Sequence, residues 1–189
     1  MLTDDVMDGS AEWIGTGYSF RRVLRSDVAY VAHNMREIDI REVLLLKGMP
    51  PYEGLSDCVA NARWSMTMAI GQGFSAEPIA IFGVTPATVM GQIGRPWLLG
   101  TDGFGRKNAR PIVESTRTMV DLMHAEFPVL QNWAHVDNTL ALRWLQWAGF
   151  SLGEETLFEG ERFVEFRSVV DARVCLPALN ETATMAEMI

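Results

Sequence analysis

Apolar and polar positions alternate along this chain with two distinct periods. Val28, Val31, Met35, Ile38 and Ile40 make an approximate helical stripe, which Ser26 or Asp27 can cap. Asp39, with Glu42 three residues on, reads as the cap of a second helix ending at Lys47 and Gly48. Met49-Pro50-Pro51 reads as an extended turn. Leu55, Cys58, Val59, Ala62, Trp64, Met66 and Ile70 then predict one helix capped by Ser56 and stopped by Gly71 and Gly73. Strand patterns cover Tyr18 to Leu24, where Arg21 and Arg22 blur the alternation, Pro78 to Val84, Pro96 to Gly100, and Leu130 to Val136. The Pro78 segment has few polar interruptions and reads as central in a sheet. Gly83 within it marks a bulge or a close approach of backbone. A long helix carries Ile112, Val113, Thr116, Met119, Val120 and Met123, with Asn108 as cap and Pro111 in the first turn. Asp137 or Asn138 caps a helix over 139–148, and Gly149 ends it. Thr156 to Phe158 and Arg162 to Arg167 read as a hairpin around Glu159-Gly160-Glu161.

The order of these elements predicts an α/β fold, a mixed central sheet flanked by helices. One domain is expected over residues 1–170, after a polar lead-in of about fifteen residues. Residues 171–189 are expected to form a tail or a short docking segment.

Composition narrows the function. The 189 residues are 48% hydrophobic, enough for one core. Sixteen basic against 24 acidic residues give a net charge of −8, which argues against a general nucleic-acid binder. No apolar run approaches the roughly 18 residues of a membrane span. The acidic start is unlike a secretory signal, so an intracellular setting is expected. Two cysteines and three histidines give a metal site little to draw on, and none is expected. Cys58, on an apolar helix side, reads as a buried inert thiol. Glu37, Asp39 and Glu42 read as capping and solvated-face residues. Trp133, Trp144, Trp147 and Phe150 read as mostly core.

The most informative stretch is strand, Gly-rich loop, helix. Gly103, Phe104, Gly105, Arg106, Lys107 and Asn108 can present backbone N–H groups and positive charge to a phosphate. Asn138, at the start of the last main helix, is a candidate both as its cap and as a neighbour of a cofactor.

The stretch WAHVDNTLALRWLQWAGF resembles the closing motif of the acetyl-CoA-dependent N-acetyltransferase superfamily, GNAT: a strand, an Asn (Asn138), a helix, then Gly149-Phe150. DIREVLLLKG, IFGVTP, WLLGTDGF, FPVLQNWAHVDN and RWLQWAGF give a narrower likeness to small GNAT-like proteins of short-tailed lytic phages, one an internal virion protein. The resemblance implies acetyl-CoA as cofactor, its pyrophosphate at Gly103 to Asn108 and its pantetheine arm between the strands Pro96 to Gly100 and Leu130 to Val136. It implies a small amine or a protein amine as acceptor. Acyl transfer to an amine needs a base, for which His135, Glu77 and Asp102 are the candidates. Gly100 stands where the family has Gln or Arg, and 139–148 holds no Tyr or Ser to protonate the thiolate. These departures imply an alternative: a catalytically silent scaffold whose partners are phage virion proteins. The setting is then the cytoplasm of an infected bacterium, or the virion.

Overall fold

The computed structural model describes residues 13–15, 17–71, 76–88, 91–105 and 109–170. In chain order the elements are β1 (Trp13–Gly15), β2 (Tyr18–Arg22), α1 (Arg25–His33), α2 (Glu37–Lys47), α3 (Pro51–Asn61), β3 (Trp64–Ile70), β4 (Glu77–Pro86) and β5 (Ile93–Gly100). They continue with α4 (Ala109–Glu126), β6 (Val129–His135), α5 (Thr139–Trp147), β7 (Ser151–Phe158) and β8 (Glu161–Val169). The strands form one eight-stranded sheet in the order β1-β2-β3-β4-β5-β6-β8-β7. Every described pairing is antiparallel except that of β5 with β6. This is the mixed sheet flanked by helices that the element order predicts. The expected tail and most of the polar lead-in lie outside the described residues.

Two apolar layers sandwich the sheet. Val28, Val31, Val43, Leu55 and Cys58 of α1–α3 pack on Ile81 and Leu99. Ile112, Met119 and Met123 of α4 and Leu145 of α5 pack with Phe20, Met68, Phe82, Leu130 and Phe166. β4 is buried from Ile79 to Val84, as its uninterrupted apolar run requires. Gly83 is a close approach: a Cβ there would lie 2.5 Å from the Trp64 carbonyl oxygen and 2.9 Å from the Trp97 ring. Of the aromatic group, Phe150 is core and Trp144 Nε1 donates to Thr116 Oγ1 (2.9 Å). Trp147 is exposed beneath the Arg117 guanidinium.

Five expectations need correction. The predicted helix over 55–70 is two elements, α3 and the strand β3. Pro51 begins α3 rather than breaking the chain, because a first-turn proline lacks only an N–H that would be unpaired anyway. In β3 Trp64, Met66, Met68 and Ile70 alternate onto the α4 side, a period-two pattern. Asp39 does not cap α2: it lies inside it, and its carboxylate accepts from Arg36 Nε (2.9 Å) and Nη2 (2.7 Å) and from the Gly100 N–H (2.9 Å). Asn138 occupies the first cap position of α5, but its side chain makes no cap bond and turns to Glu42 instead. Neither Ser26 nor Asp27 caps α1 from the cap position, which is Leu24.

Asp27 is one of the most buried charges of the described residues, 2% exposed, with Arg21 at 8%. Arg21 Nη1 and Nη2 donate to its two oxygens (2.5 and 2.8 Å), and the Thr67 hydroxyl (2.8 Å) and Leu24 N–H (3.1 Å) complete its shell. This cluster pins α1 to β2 and β3, and it explains why Arg21 breaks the apolar alternation of its strand.

Candidate functional site

The site begins with a missing hydrogen-bond donor. The two ends of β5 fix its phase against β4: Ala87, just past β4, donates its N–H to Ile93 O, and Thr101, just past β5, donates its N–H to Ile79 O, both at 2.9 Å. Alternation therefore turns the peptide groups of Gly94, Pro96, Leu98 and Gly100 toward β6. The parallel pairing covers only Ile93 with Val129 and Gly94 with Leu130. The next donor would be residue 96, and proline has none. The ladder stops there and the strands part.

Asn132 of β6 fills the first step of the gap. Its Nδ2 donates to Pro96 O (3.0 Å) and its Oδ1 accepts the Trp133 N–H (3.0 Å), so one carboxamide stands between the strands like an inserted peptide unit. At the far end the α1–α2 junction closes the gap. Arg36 N–H donates to Gly100 O (2.9 Å), and the Gly100 N–H is held by Asp39. Between these ends only Leu98 presents an N–H and a C=O to the gap among the described residues.

A cavity of ≈ 980 Å³ opens on this gap, lined among others by Pro96, Leu98, Phe104, Asn132, Trp133 and Asn138. Its mostly apolar wall and few polar groups suit a small-molecule or cofactor site. Phe104 and Trp133 form parts of the wall and leave the cavity open.

One acid lines it from α2. Glu42 Oε1 accepts the His135 backbone N–H (2.9 Å) and Asn138 Nδ2 (3.1 Å), while part of the residue stays accessible. Burial pushes its carboxyl up to about 7, opposed by the two hydrogen bonds and by Arg36, and reinforced by the charge of Asp39. A carboxyl that changes charge near neutral pH, on the wall of a cavity, has the property a general base needs. From the sequence alone Glu42 reads as a capping or solvated-face residue. Its one sequence signal is a charge opening the apolar run Val43-Leu44-Leu45-Leu46.

The structure distributes the other candidates unevenly. Phe104, Gly105 and Asn138 line the cavity, while Gly103, Glu77, Asp102 and His135 do not. His135 is 1% exposed; its Nδ1 accepts the Asp137 N–H (3.1 Å), its Nε2 lies 3.3 Å from Glu161 Oε2, and its ring packs edge-on against Phe163. Its contribution to the cavity is its backbone N–H, which holds Glu42. Glu77 is exposed and accepts the Tyr30 hydroxyl proton (2.8 Å), and Asp102 is exposed in a turn. The described loop amides have internal partners: Gly103 N–H on Thr101 Oγ1 (3.1 Å), Phe104 N–H on Thr101 O (2.8 Å) and Gly105 N–H on Gly103 O (3.1 Å). Arg106, Lys107 and Asn108 lie outside the described residues. Cys58 is buried, and burial pushes its thiol up to about 11, far from a thiolate nucleophile at neutral pH.

No family model matches the sequence, and no curated protein matches it. Its fold does have solved counterparts. The ribosomal-protein-S5-alanine acetyltransferase from Vibrio fischeri superposes with a TM-score of 0.60 at 14% identity, over 86% of this chain and 98% of that one. A GNAT-family acetyltransferase from Bacillus anthracis gives 0.57 at 7% identity, over 83% and 96%. Spermidine N-acetyltransferase from Vibrio cholerae, solved with CoA and spermine, gives 0.55 at 11% identity, over 82% and 96%. At these identities the likeness establishes the fold, that of the GNAT acetyltransferases, and leaves the reaction to be argued from the site.

Proposed function

We propose that this protein transfers an acetyl group from acetyl-CoA to a primary amine. The observation that carries the reading is the gap beyond Pro96, where the register leaves the Leu98 N–H and C=O without a strand partner, in a cavity that a carboxyl titrating near 7 also lines. An extended amide-bearing chain fits such an edge as an added strand fits a sheet. Acetyl-CoA has that chain in its pantetheine arm and supplies an activated acyl carbon on a thioester. Pro96 and Asn132 hold the strands apart, Leu98 pairs with the arm, and Phe104, Trp133 and Trp144 exclude water from the apolar wall. Glu42, as carboxylate, takes the proton that the acceptor nitrogen must lose as its bond to the acetyl carbon forms; the thioester C–S bond breaks in exchange, and the CoA thiolate leaves and is protonated by solvent water. Asn138 and the His135 N–H orient that carboxylate and restrain its basicity. Glu42 takes the place of His135, Glu77 and Asp102 as base because it alone of the four lines the cavity.

The inward bonding of Gly103, Phe104 and Gly105 favours a second reading, a catalytically silent scaffold. A phosphate would have to compete with these bonds. Nothing in the fold or the site supports the virion partners of that reading.

Calorimetry with acetyl-CoA separates the two. Gly105 lines the cavity, and among the described residues a Cβ there meets within 4 Å only the Asp102 carbonyl oxygen, at 3.5 Å, an ordinary contact. The wild type is expected to bind saturably, and Gly105→Trp at least about tenfold more weakly. No binding to the wild type at millimolar acetyl-CoA supports the scaffold.

A further inference from the structure

Resting on the acyl-transfer reading, we infer that the acceptor carries its own carboxylate, several bonds from the reacting amine, and that Arg95 binds it. Arg95 lies on the sheet face covered by α1–α3. Trp97 packs against that layer and its Nε1 donates to Thr85 Oγ1 (3.0 Å), while Thr85 is the cross-strand partner of Arg95. Glu42 approaches the cavity from α2, one of the helices over this face. Arg95 and Glu42 both line the cavity.

Among the described residues the guanidinium has no counter-charge. Its Nε is buried without an acceptor, and among the described residues no hydrogen bond, ion pair or aromatic ring engages the group. Burial is the one influence on its proton affinity, which it lowers. The acids of neighbouring elements are engaged elsewhere: Asp57 with Lys47 (2.7 Å) and Asn61 (2.8 Å), Glu126 with Arg63 (2.8 Å), and Glu165 with the Gln131 side-chain amide. A half-buried, unpaired arginine is costly, and its planar fork matches a carboxylate through two parallel hydrogen bonds.

The neighbouring row strengthens the positive character. Continuing the β5–β6 register by one residue sets Arg95 beside Gln131, and Gln131 pairs with Arg167 of β8. Arg167 also has a buried Nε without a partner. Glu42 is bonded at His135, four residues along β6 from Gln131, or about 13 Å at strand rise. An acceptor reaching from one to the other therefore has its amine and its anion well separated.

The test compares ε-aminocaproate with hexylamine, two primary amines of similar length of which only the first bears a carboxylate. Binding is measured by calorimetry and acetyl transfer by thiol release, with wild type, Arg95→Met and Arg95→Lys. The wild type is expected to bind and acetylate ε-aminocaproate at least about tenfold better than hexylamine. In Arg95→Met that ratio falls to about one, and Arg95→Lys restores part of it. Equal affinities in the wild type, no binding of either amine, or a preference that survives Arg95→Met overturns the inference. Transfer to both amines without preference leaves the transferase standing and removes the anion site. A carboxylate preference in binding that Arg95→Met abolishes, with no transfer to either amine, leaves the anion site and removes the transferase.

Discussion

Replacing Glu42 by Gln is expected to lower kcat/KM for acetyl transfer by about 10²- to 10⁴-fold, the usual worth of a positioned general base. The same variant is expected to be more stable than the wild type at alkaline pH. Gln keeps the oxygen that accepts from the His135 N–H and from Asn138, so the local hydrogen bonds survive. What disappears is the cost of ionising a buried carboxyl. In the folded protein that carboxyl titrates at about 7 against an ordinary 4.5, so it holds its proton more tightly than in the unfolded chain. The wild type therefore carries no penalty below pH 4.5 and loses stability as the pH rises from 4.5 to 7. Above that it carries the full cost, about 3 kcal/mol as an upper figure for a group still partly open to solvent. Urea unfolding of both proteins across this range should show a difference near zero at pH 4 that grows to about 1–3 kcal/mol at pH 8.5. Wild-type kcat/KM should rise through about 7 as the carboxylate forms, and the Gln variant should lack that limb. A difference in stability that does not change with pH would remove Glu42 as a titrating base. Such gains in stability at the expense of activity are expected where a site holds an uncomfortable group.

The second large effect concerns stability alone. Asp27→Ala should destabilise the protein by about 3–5 kcal/mol, because it strands the Arg21 guanidinium in the interior. The Thr67 hydroxyl and Leu24 N–H lose their acceptor at the same time. The double variant Arg21→Met, Asp27→Ala should recover much of the loss, since an apolar pair pays no desolvation of charge. Equilibrium urea denaturation of the three variants measures this. A cost below about 1 kcal/mol for Asp27→Ala would mean that the pair is solvated rather than buried.

These two clusters also show what one sequence can disclose. The strand–loop–helix order and the Asn138-to-Phe150 segment were legible because their signals are local: proline, glycine and periodic apolar residues. The β3 segment reads as helix for a definable reason. Met66 and Ile70 satisfy a helical stripe begun by Leu55 and Cys58 as well as they satisfy alternation, and no glycine separates Asn61 from Trp64. The roles of Arg21, Asp39 and Glu42 were not legible, since each is defined by a partner distant in the chain. Asp39 meets Gly100, and Glu42 meets His135 and Asn138. Local rules read such acids as caps, because capping is the commonest use of an acid near a helix start. Pro96 lies between. Its lack of a donor is visible in the sequence, but that the lost bond faces β6 follows only from the register.

Cofactor binding in the gap depends on Leu98 turning an unpaired peptide group into it, and amide hydrogen exchange at that residue tests this most directly. Without ligand the Leu98 N–H should exchange much faster than those of Trp97 and Leu99, whose register bonds them to β4. Saturating acetyl-CoA should slow Leu98 by about tenfold or more while Trp97 and Leu99 change little. A Leu98 amide already protected in the free protein, or one that acetyl-CoA leaves untouched, would contradict pairing of the cofactor arm with Leu98.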